Sequence, residues 1–360
     1  MRMVPACYNL LMKKQPQAII MILLCTVLMT ACSSSLINQP EVQSLSSETL
    51  AGGLIHVYFT SPSADSGCEL LTPLLNSMEG AEDSIQLAMY NLNLKPVAEA
   101  LIAAQARGVT VEVVMDNDKM DNKVPRSMAS AGVPMVTDSD ESTMHNKFMV
   151  IDGEQVWTGS LNYTDTGCGE DYNNLIQINS TELARNYQVE FEEMFSAHQF
   201  SAESPENTPN PIVNIQGVQV HTYFSPDDGV QDALLKVISK ADHSIVFMAY
   251  SFTSDKLAKA LMDRAEHGVV VTGVMDAEQI QSNTGGEYER LREAGILVAK
   301  DDIPGQMHHK VIIIDEKIVV TGSYNFSGNA EKRNDENVLI LYSPDLARQY
   351  LQEYAQIKTR

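Results

Sequence analysis

An internal duplication constrains the fold of this 360-residue chain more than any other sequence feature. The segment Ile55–Phe59 recurs in the second half as Val220–Phe224, and Val114–Asp116 recurs as Val274–Asp276. Two copies of one unit therefore follow each other along the chain. A repeat of this length predicts two similar structural halves rather than one irregular domain.

Each half alternates strand-like and helix-like segments. Two segments of the first half have the apolar spacing of amphipathic helices, Pro96–Arg107 and Glu182–Phe195. The β-rich runs between them are Ile85–Tyr90, Val109–Met115, Phe148–Ile151, Val156–Thr158 and Leu175–Ile178. This alternation predicts an α/β fold with helices packed on a largely central sheet. We expect two tandem α-β-α sandwich domains, at residues 54–200 and 215–360, joined by a linker at 201–214.

The N-terminal segment is typical of an exported lipoprotein. Basic residues precede an apolar run from Ala18 to Ala31, which is shorter than the roughly 20 residues that a spanning helix needs. The run ends in Thr30-Ala31-Cys32, which resembles a bacterial lipobox, and Ser33 favours sorting to the outer membrane. An uncleaved anchor or a plain signal peptide is the alternative. We therefore predict a signal peptide at 1–31, lipidation of Cys32 in the bacterial cell envelope and a tether at 32–53.

Both halves contain the same pattern of polar residues, His-x-Lys-x4-Asp-x6-Gly-Ser-x-Asn. The first copy consists of His145, Lys147, Asp152, Gly159, Ser160 and Asn162, and the second of His308, Lys310, Asp315, Gly322, Ser323 and Asn325. Recurrence of so specific a pattern at equivalent points of a duplication indicates a shared chemical task.

The pattern predicts a binding site for one phosphate group. His and Lys lie two residues apart, so on a strand their side chains share a face. Apolar runs follow at Phe148–Ile151 and Val311–Ile314, which predicts strands that are buried on both faces and present the polar pair at one end. The lysine supplies positive charge, and the Ser and Asn after the Gly turn supply neutral hydrogen-bond donors. Two copies facing each other across a pseudo-twofold axis would surround a single phosphate.

This set of side chains suits two-step cleavage of a phosphodiester. One neutral His attacks phosphorus and the other, as imidazolium, protonates the leaving alcohol. The lysines and asparagines stabilise the charge that develops on the phosphoryl oxygens. We expect Asp152 and Asp315 to orient the strand and loop rather than to transfer protons, and His309 to be a neighbour of the site. We predict no required metal and no cofactor.

The charge of the chain bears on the substrate. The formal net charge is −22, from 47 Asp and Glu against 25 Lys and Arg. So much negative charge repels nucleic acid at long range and excludes a diffuse basic binding surface.

On the residues above, both halves resemble the phospholipase D superfamily, whose signature is this duplicated motif. The stretch from Met307 to Lys310, with Asn334–Asn337, is especially similar to the bacterial phospholipase D-like and cardiolipin hydrolase branch. The resemblance implies a metal-free phosphodiesterase with its active site at the interface of the halves, with His145 as nucleophile and His308 as acid and base. We expect hydrolysis of phospholipid head groups at a membrane surface. An endonuclease that cleaves DNA or RNA and a phosphatidyltransferase of the cardiolipin synthase kind are the alternatives.

One departure from the family pattern concerns the partners of the two histidines. Family members often place a Glu after the Gly-Ser turn, where it bonds a catalytic His; the second half has Glu336, but the first has Asn173. If each residue served the His of its own half, Glu336 would hold His308 protonated and Asn173 would leave His145 neutral.

Two further expectations concern the cysteines and the oligomeric state. Cys68 and Cys168 would remain in an oxidising compartment, which predicts a disulfide, with two free thiols as the alternative. Both motifs lie in one chain, so we expect a monomer with a complete site.

Overall fold

The computed structural model describes residues 50–62, 68–138, 143–303 and 305–358. The predicted signal peptide, Cys32 and most of the predicted tether lie outside these residues. Leu50 is buried in the core, and Ala51–Gly53 form a short 3-10 helix. The globular part therefore begins before the predicted boundary at Leu54, because an apolar side chain at this point finds a place in the core.

The first half forms eight strands and six α-helices within the described ranges. Its strands are β1 (Ile55–Phe59), β2 (Ser84–Met89), β3 (Thr110–Met115), β4 (Met135–Thr137), β5 (Thr143–Met144), β6 (Lys147–Ile151), β7 (Gln155–Gly159) and β8 (Asn174–Asn179). Its helices are α1 (Leu71–Glu79), α2 (Lys95–Ala106), α3 (Asn117–Met120), α4 (Lys123–Ser130), α5 (Asp165–Gly169) and α6 (Thr181–Phe195).

Among the described residues the second half repeats this order, except that it begins with an additional strand and has no counterpart of β5. Its strands are β9 (Ile212–Ile215), β10 (Val218–Ser225), β11 (Ser244–Ala249), β12 (Val270–Met275), β13 (Leu297–Lys300), β14 (Lys310–Ile314), β15 (Ile318–Gly322) and β16 (Asn334–Tyr342). Its helices are α7 (Val230–Ile238), α8 (Asp255–Glu266), α9 (Ala277–Ser282), α10 (Tyr288–Glu293), α11 (Gly328–Lys332) and α12 (Pro344–Lys358). Strand β9 begins inside the segment predicted as linker, because Val213 and Ile215 alternate into the core.

Each half is built on one mixed sheet. The strand order is β1-β8-β7-β6-β2-β3-β4 in the first half and β13-β12-β11-β14-β15-β16-β10-β9 in the second. Strands β2, β3 and β4 run parallel, as do β11, β12 and β13, whereas the strands around β6 and β14 are antiparallel. The α/β prediction is confirmed, and the motif strands β6 and β14 lie in the interior of their sheets.

Buried apolar side chains form three clusters. One cluster belongs to the first half alone and contains Leu87, Leu101 and Trp157, and a second, with Phe247 and Leu261, belongs to the second half alone. The third contains residues of both halves, and the long helices α6 and α12 contribute to it. The sheets are therefore covered on both faces, and the halves share one core where they meet.

Cys68 and Cys168 form a disulfide that joins the segment before α1 to helix α5. Across the described part of the chain, no helix has both the length and the apolar character that crossing a membrane requires.

Candidate active site

Backbone hydrogen bonds between the two halves hold both motif histidines. The His145 N–H donates to the Asp335 carbonyl over 3.0 Å, and the His308 N–H donates to the Tyr172 carbonyl over 2.9 Å. Strand β5 pairs with β16, and Tyr172 pairs with Met307 in the matching position. Each histidine is therefore fixed by the opposite half, and the two motifs meet at one pseudo-symmetric interface.

The hydrogen-bond partners of the imidazole rings also come from the opposite half. His145 Nδ1 lies 2.7 Å from Glu336 Oε2, and His308 Nδ1 lies 2.9 Å from Asn173 Oδ1. The expectation that each residue serves the histidine of its own half is wrong. The bonds cross because the residues before β8 and at the start of β16 form the edge that faces the other half, which no pattern within one repeat reveals.

Burial controls the protonation of both rings. Burial lowers the pKa of His145 to about 4, although the Glu336 carboxylate acts in the opposite direction. Burial also lowers the pKa of His308 well below its ordinary value, and the nearby cations Lys310 and Lys147 add to this effect. Both rings are therefore neutral near pH 7, and the prediction that His308 is held protonated by a carboxylate is wrong.

The two motif lysines are buried beside the histidines. Lys147 Nζ donates to the His145 carbonyl over 2.8 Å, and Lys310 Nζ donates to the His308 carbonyl over 2.7 Å. Burial lowers the pKa of Lys147 to about 7 and that of Lys310 well below its ordinary value. An anion bound at this site would restore the positive charge, because an opposite charge nearby favours the charged form. The lysines thus form a latent phosphate-binding pair.

Two tyrosines, which sequence reasoning did not identify as site residues, pack on the histidines. The Tyr90 ring lies 4.8 Å from the His145 ring, and the Tyr250 ring lies 4.6 Å from the His308 ring. Lys147 Nζ lies 5.1 Å from the centre of the Tyr90 ring and Lys310 Nζ 4.7 Å from that of Tyr250. The tyrosines occupy equivalent positions of the duplication, and this recurrence was the signal that could have identified them.

The Gly-Ser turns bring β7 and β15 close to the neighbouring strands. Gly159 has φ +145°, and a Cβ there would lie 2.3 Å from the Asn174 carbonyl oxygen; Gly322 is equivalent, with φ +149° and 2.1 Å to the Asn337 oxygen. Any side chain would force β8 or β16 away from the site, which explains glycine at both positions.

The serines after these glycines form hydrogen bonds with neighbouring protein groups. Ser160 Oγ donates to Asn173 Oδ1 over 2.8 Å, and Ser323 Oγ accepts the Asn337 N–H over 3.0 Å. The Ser160 hydroxyl therefore supports Asn173, and its contact with phosphate stays a prediction. The side-chain oxygens of Asn162 and Asn325 are buried without hydrogen-bond partners among the described residues.

Asp152 and Asp315 hold a loop through backbone hydrogen bonds rather than transfer protons. Asp152 accepts the backbone N–H groups of Glu82, Asp83 and Ser84, and Asp315 accepts those of Asp242, His243 and Ser244. Partial burial alone would raise the pKa of Asp152, but these backbone donors outweigh it and lower the pKa. Both carboxylates therefore fix the loop before β2 or β11 to the far end of the motif strand.

The residue between His and Lys of each motif lies on the other face of its strand. His309 Nδ1 lies 3.0 Å from Asn174 Nδ2, and its Nε2 lies 3.2 Å from Glu353 Oε1. Asn146, its counterpart, accepts the Asn337 side-chain N–H over 2.9 Å. His309 thus supports the inter-half core. Among the described residues no group of three or more His, Cys, Asp or Glu side chains could hold a metal ion.

Comparisons with known proteins agree with the duplication. The family described as "Cardiolipin synthase, PLD-like domain" matches residues 74–195 and again residues 234–358, together more than half of the chain. The phospholipase D of Rickettsia prowazekii is 35% identical over 169 residues, which are 47% of this chain and 82% of that protein.

Two further relatives extend the comparison. The mitochondrial cardiolipin hydrolase of Homo sapiens is 36% identical over 124 residues, covering 34% of this chain and 49% of that protein. The crystal structure of phosphatidylserine synthase from Haemophilus influenzae covers 83% of this chain and 88% of that chain, with a TM-score of 0.61 and 14% identity. At that identity the likeness indicates a shared fold.

Proposed function

Because this chain belongs to the phospholipase D superfamily and is a phosphodiesterase of that type, we propose that it hydrolyses the head-group phosphodiester of membrane phospholipids. The observation that carries the chemistry is the pairing of two buried His-x-Lys motifs across one interface. The lipid specificity is supported by relatives whose names are phospholipase D and cardiolipin hydrolase. The net charge of −22 further disfavours a polyanionic nucleic acid.

In the first step, His145 is the nucleophile. Its Nδ1 carries the hydrogen that Glu336 accepts, so the lone pair is on Nε2. Binding of the phosphodiester anion favours the imidazolium form of His308, which takes up a proton from solvent at Nε2 before the reaction begins. His145 Nε2 then forms a bond to phosphorus while the bond from phosphorus to the head-group oxygen breaks, and the proton on His308 Nε2 passes to that oxygen. The phosphohistidine carries positive charge on its ring, which the Glu336 carboxylate stabilises.

In the second step, water replaces the head group. His308 Nε2 takes a proton from water as the oxygen attacks phosphorus, and the bond to His145 Nε2 breaks. Phosphatidic acid leaves, and both histidines return to their starting protonation. Lys147 and Lys310 stabilise the negative charge that builds on the phosphoryl oxygens in both steps.

The substrate is tested by parallel assays of the purified chain with EDTA present. We expect vesicles of phosphatidylcholine, phosphatidylethanolamine or cardiolipin to yield phosphatidic acid or its lipid equivalent with release of the head-group alcohol. We expect single-stranded DNA and RNA to remain intact. The His145→Ala variant, assayed beside the unchanged chain, identifies any product from a contaminant.

Three outcomes would contradict the proposed hydrolysis of phospholipids. Cleavage of nucleic acid alone, with the steep loss of binding in salt that phosphate contacts produce, would establish a nuclease. Transfer of the phosphatidyl group to an added alcohol in place of hydrolysis would establish a phosphatidyltransferase. Failure to cleave any of these diesters would leave no support for a phospholipid substrate.

We also propose that the chain is anchored through an acylated Cys32, with the catalytic part held at the surface of the outer membrane. The support is the apolar run that ends at Cys32 and the serines that follow it. In cell fractionation we expect the unchanged chain in the outer-membrane fraction and a Cys32→Ser variant displaced from it. Equal distribution of both proteins would contradict the anchor.

A further inference from the structure

The two catalytic histidines differ in the charge of their partners. His145 is paired with the carboxylate of Glu336, whereas His308 is paired with the neutral amide of Asn173. Glu336 and Asn173 are both fully buried, so water does not compensate for the difference. An otherwise symmetric site is therefore electrically asymmetric.

Neighbouring groups fix the orientation of the Asn173 amide. Its Nδ2 donates to the Gly167 carbonyl over 3.0 Å, and its Oδ1 accepts the Ser160 hydroxyl over 2.8 Å. Oδ1 is therefore the atom that faces His308 Nδ1, and this ring nitrogen carries the hydrogen. Neutral His308 consequently has its lone pair on Nε2, ready to accept a proton.

The disulfide strengthens this arrangement. Gly167, whose carbonyl holds the amide, lies in helix α5 next to Cys168, and Cys168 is bonded to Cys68. In the second half the equivalent helix α11 is instead held by the Glu331 carboxylate, which accepts the Gln231 N–H over 3.0 Å. In the first half, a disulfide therefore holds the helix whose Gly167 carbonyl binds Asn173, the residue that orients His308.

We propose that Asn173 is a positioning residue that keeps His308 in the Nδ1–H form and withholds a counter-charge, which makes His308 the more acidic proton donor and places the alkaline limit of activity at lower pH. The proposal rests on the phosphodiesterase chemistry proposed above and not on the identity of the lipid. A carboxylate at residue 173 would stabilise the imidazolium and make it a weaker acid.

The other charged groups around His308 also lower its pKa, as the lack of a carboxylate partner does. After burial itself, the groups that lower the pKa of His308 are Lys310, Lys147, His145 and His309. Tyr250 packs against the ring, and Asp171 and Asp276 act on Lys310 from the neighbouring loops. No carboxylate among the described residues is hydrogen-bonded to His308, so Asn173 is the position at which one would change its acidity most directly.

The test compares Asn173→Asp with the unchanged full-length protein on two artificial diesters. One has an alkyl leaving group, which needs a proton to depart, and the other has a p-nitrophenyl leaving group, which does not. With the alkyl diester, we expect Asn173→Asp to move the alkaline limb of kcat/KM upward by about one pH unit or more. With the nitrophenyl diester we expect no such shift. A limb that does not move, or one that moves equally for both diesters, would overturn the proposal.

A direct titration covers the case in which the variant is unstable or diesters are not cleaved. NMR of protein with labelled histidines, in the presence of inorganic phosphate, follows each ring separately. We expect Asn173→Asp to raise the titration midpoint of His308 more than that of His145, and Glu336→Gln to lower that of His145 while His308 stays in place. A His308 midpoint that follows Glu336→Gln instead would overturn the proposal. Absence of turnover on either diester would count against the phosphodiesterase chemistry, while the NMR midpoints would still decide the role of Asn173.

Discussion

Replacement of His145 by alanine is expected to lower kcat/KM by at least about 10⁴-fold. The variant has no nucleophile on the Glu336 side of the site, and His308 lacks the carboxylate that stabilises a positively charged phosphohistidine. Initial rates on the phospholipid that the unchanged chain cleaves measure the loss. A phosphohistidine is labile in acid, so the reaction must be quenched in alkali. Peptide mass spectrometry should then find the phosphoryl group on His145.

His309→Asn is the matched control for this loss. His309 belongs to the same tripeptide as His308, but its side chain lies on the opposite face of the strand, against Glu353. The first half has Asn146 at this position, so asparagine is compatible with the fold. We expect the control to retain most of the activity, with thermal unfolding used to verify that both variants are folded. A phosphoryl group on His308, or an active His145→Ala variant, would reject His145 as the nucleophile.

Replacement of Lys147 by methionine is expected to remove activity and stabilise the fold. We expect kcat/KM to fall by about 10²–10³-fold, the usual effect of losing one group that stabilises transition-state charge. We expect the free energy of unfolding at pH 7 to rise by about 1–3 kcal/mol, because a desolvated cation is replaced by an apolar chain of similar length. Activity assays and chemical denaturation measure the two effects.

The pH dependence gives this prediction a second measurement. The pKa of Lys147 is about 7 in the folded protein and near its ordinary value of 10.5 in the unfolded chain. Between these values the unfolded state binds more protons, so the stability of the unchanged protein rises with pH across this window. The variant should lack this rise. Lys123→Met, at an exposed lysine of helix α4, should change neither activity nor the pH slope. A Lys147→Met variant less stable than the unchanged protein at pH 7 would contradict the cost assigned to burial.

Sequence patterns predicted the elements that place the site, because each depends on local periodicity. The run Phe148–Ile151 is apolar throughout because β6 is covered on both faces. The run Val311–Ile314 is apolar for the same reason in β14. The duplication then implied two equivalent motifs. The burial of Leu50 in the core and the start of β9 at Ile212 were missed, because short apolar segments beside polar ones gain their structure only from the core they join.

By itself, the sequence determined the family, the α/β architecture and the set of reactive side chains, since these follow from which residue types recur at which spacing. The tertiary structure decided which of these side chains touch each other. Glu336 serves His145 and Asn173 serves His308, and Ser160 is occupied by Asn173. These contacts join residues far apart in the chain across an interface between two folded halves. Pairing across that interface depends on how the two sheets pack, and no spacing within either repeat encodes it.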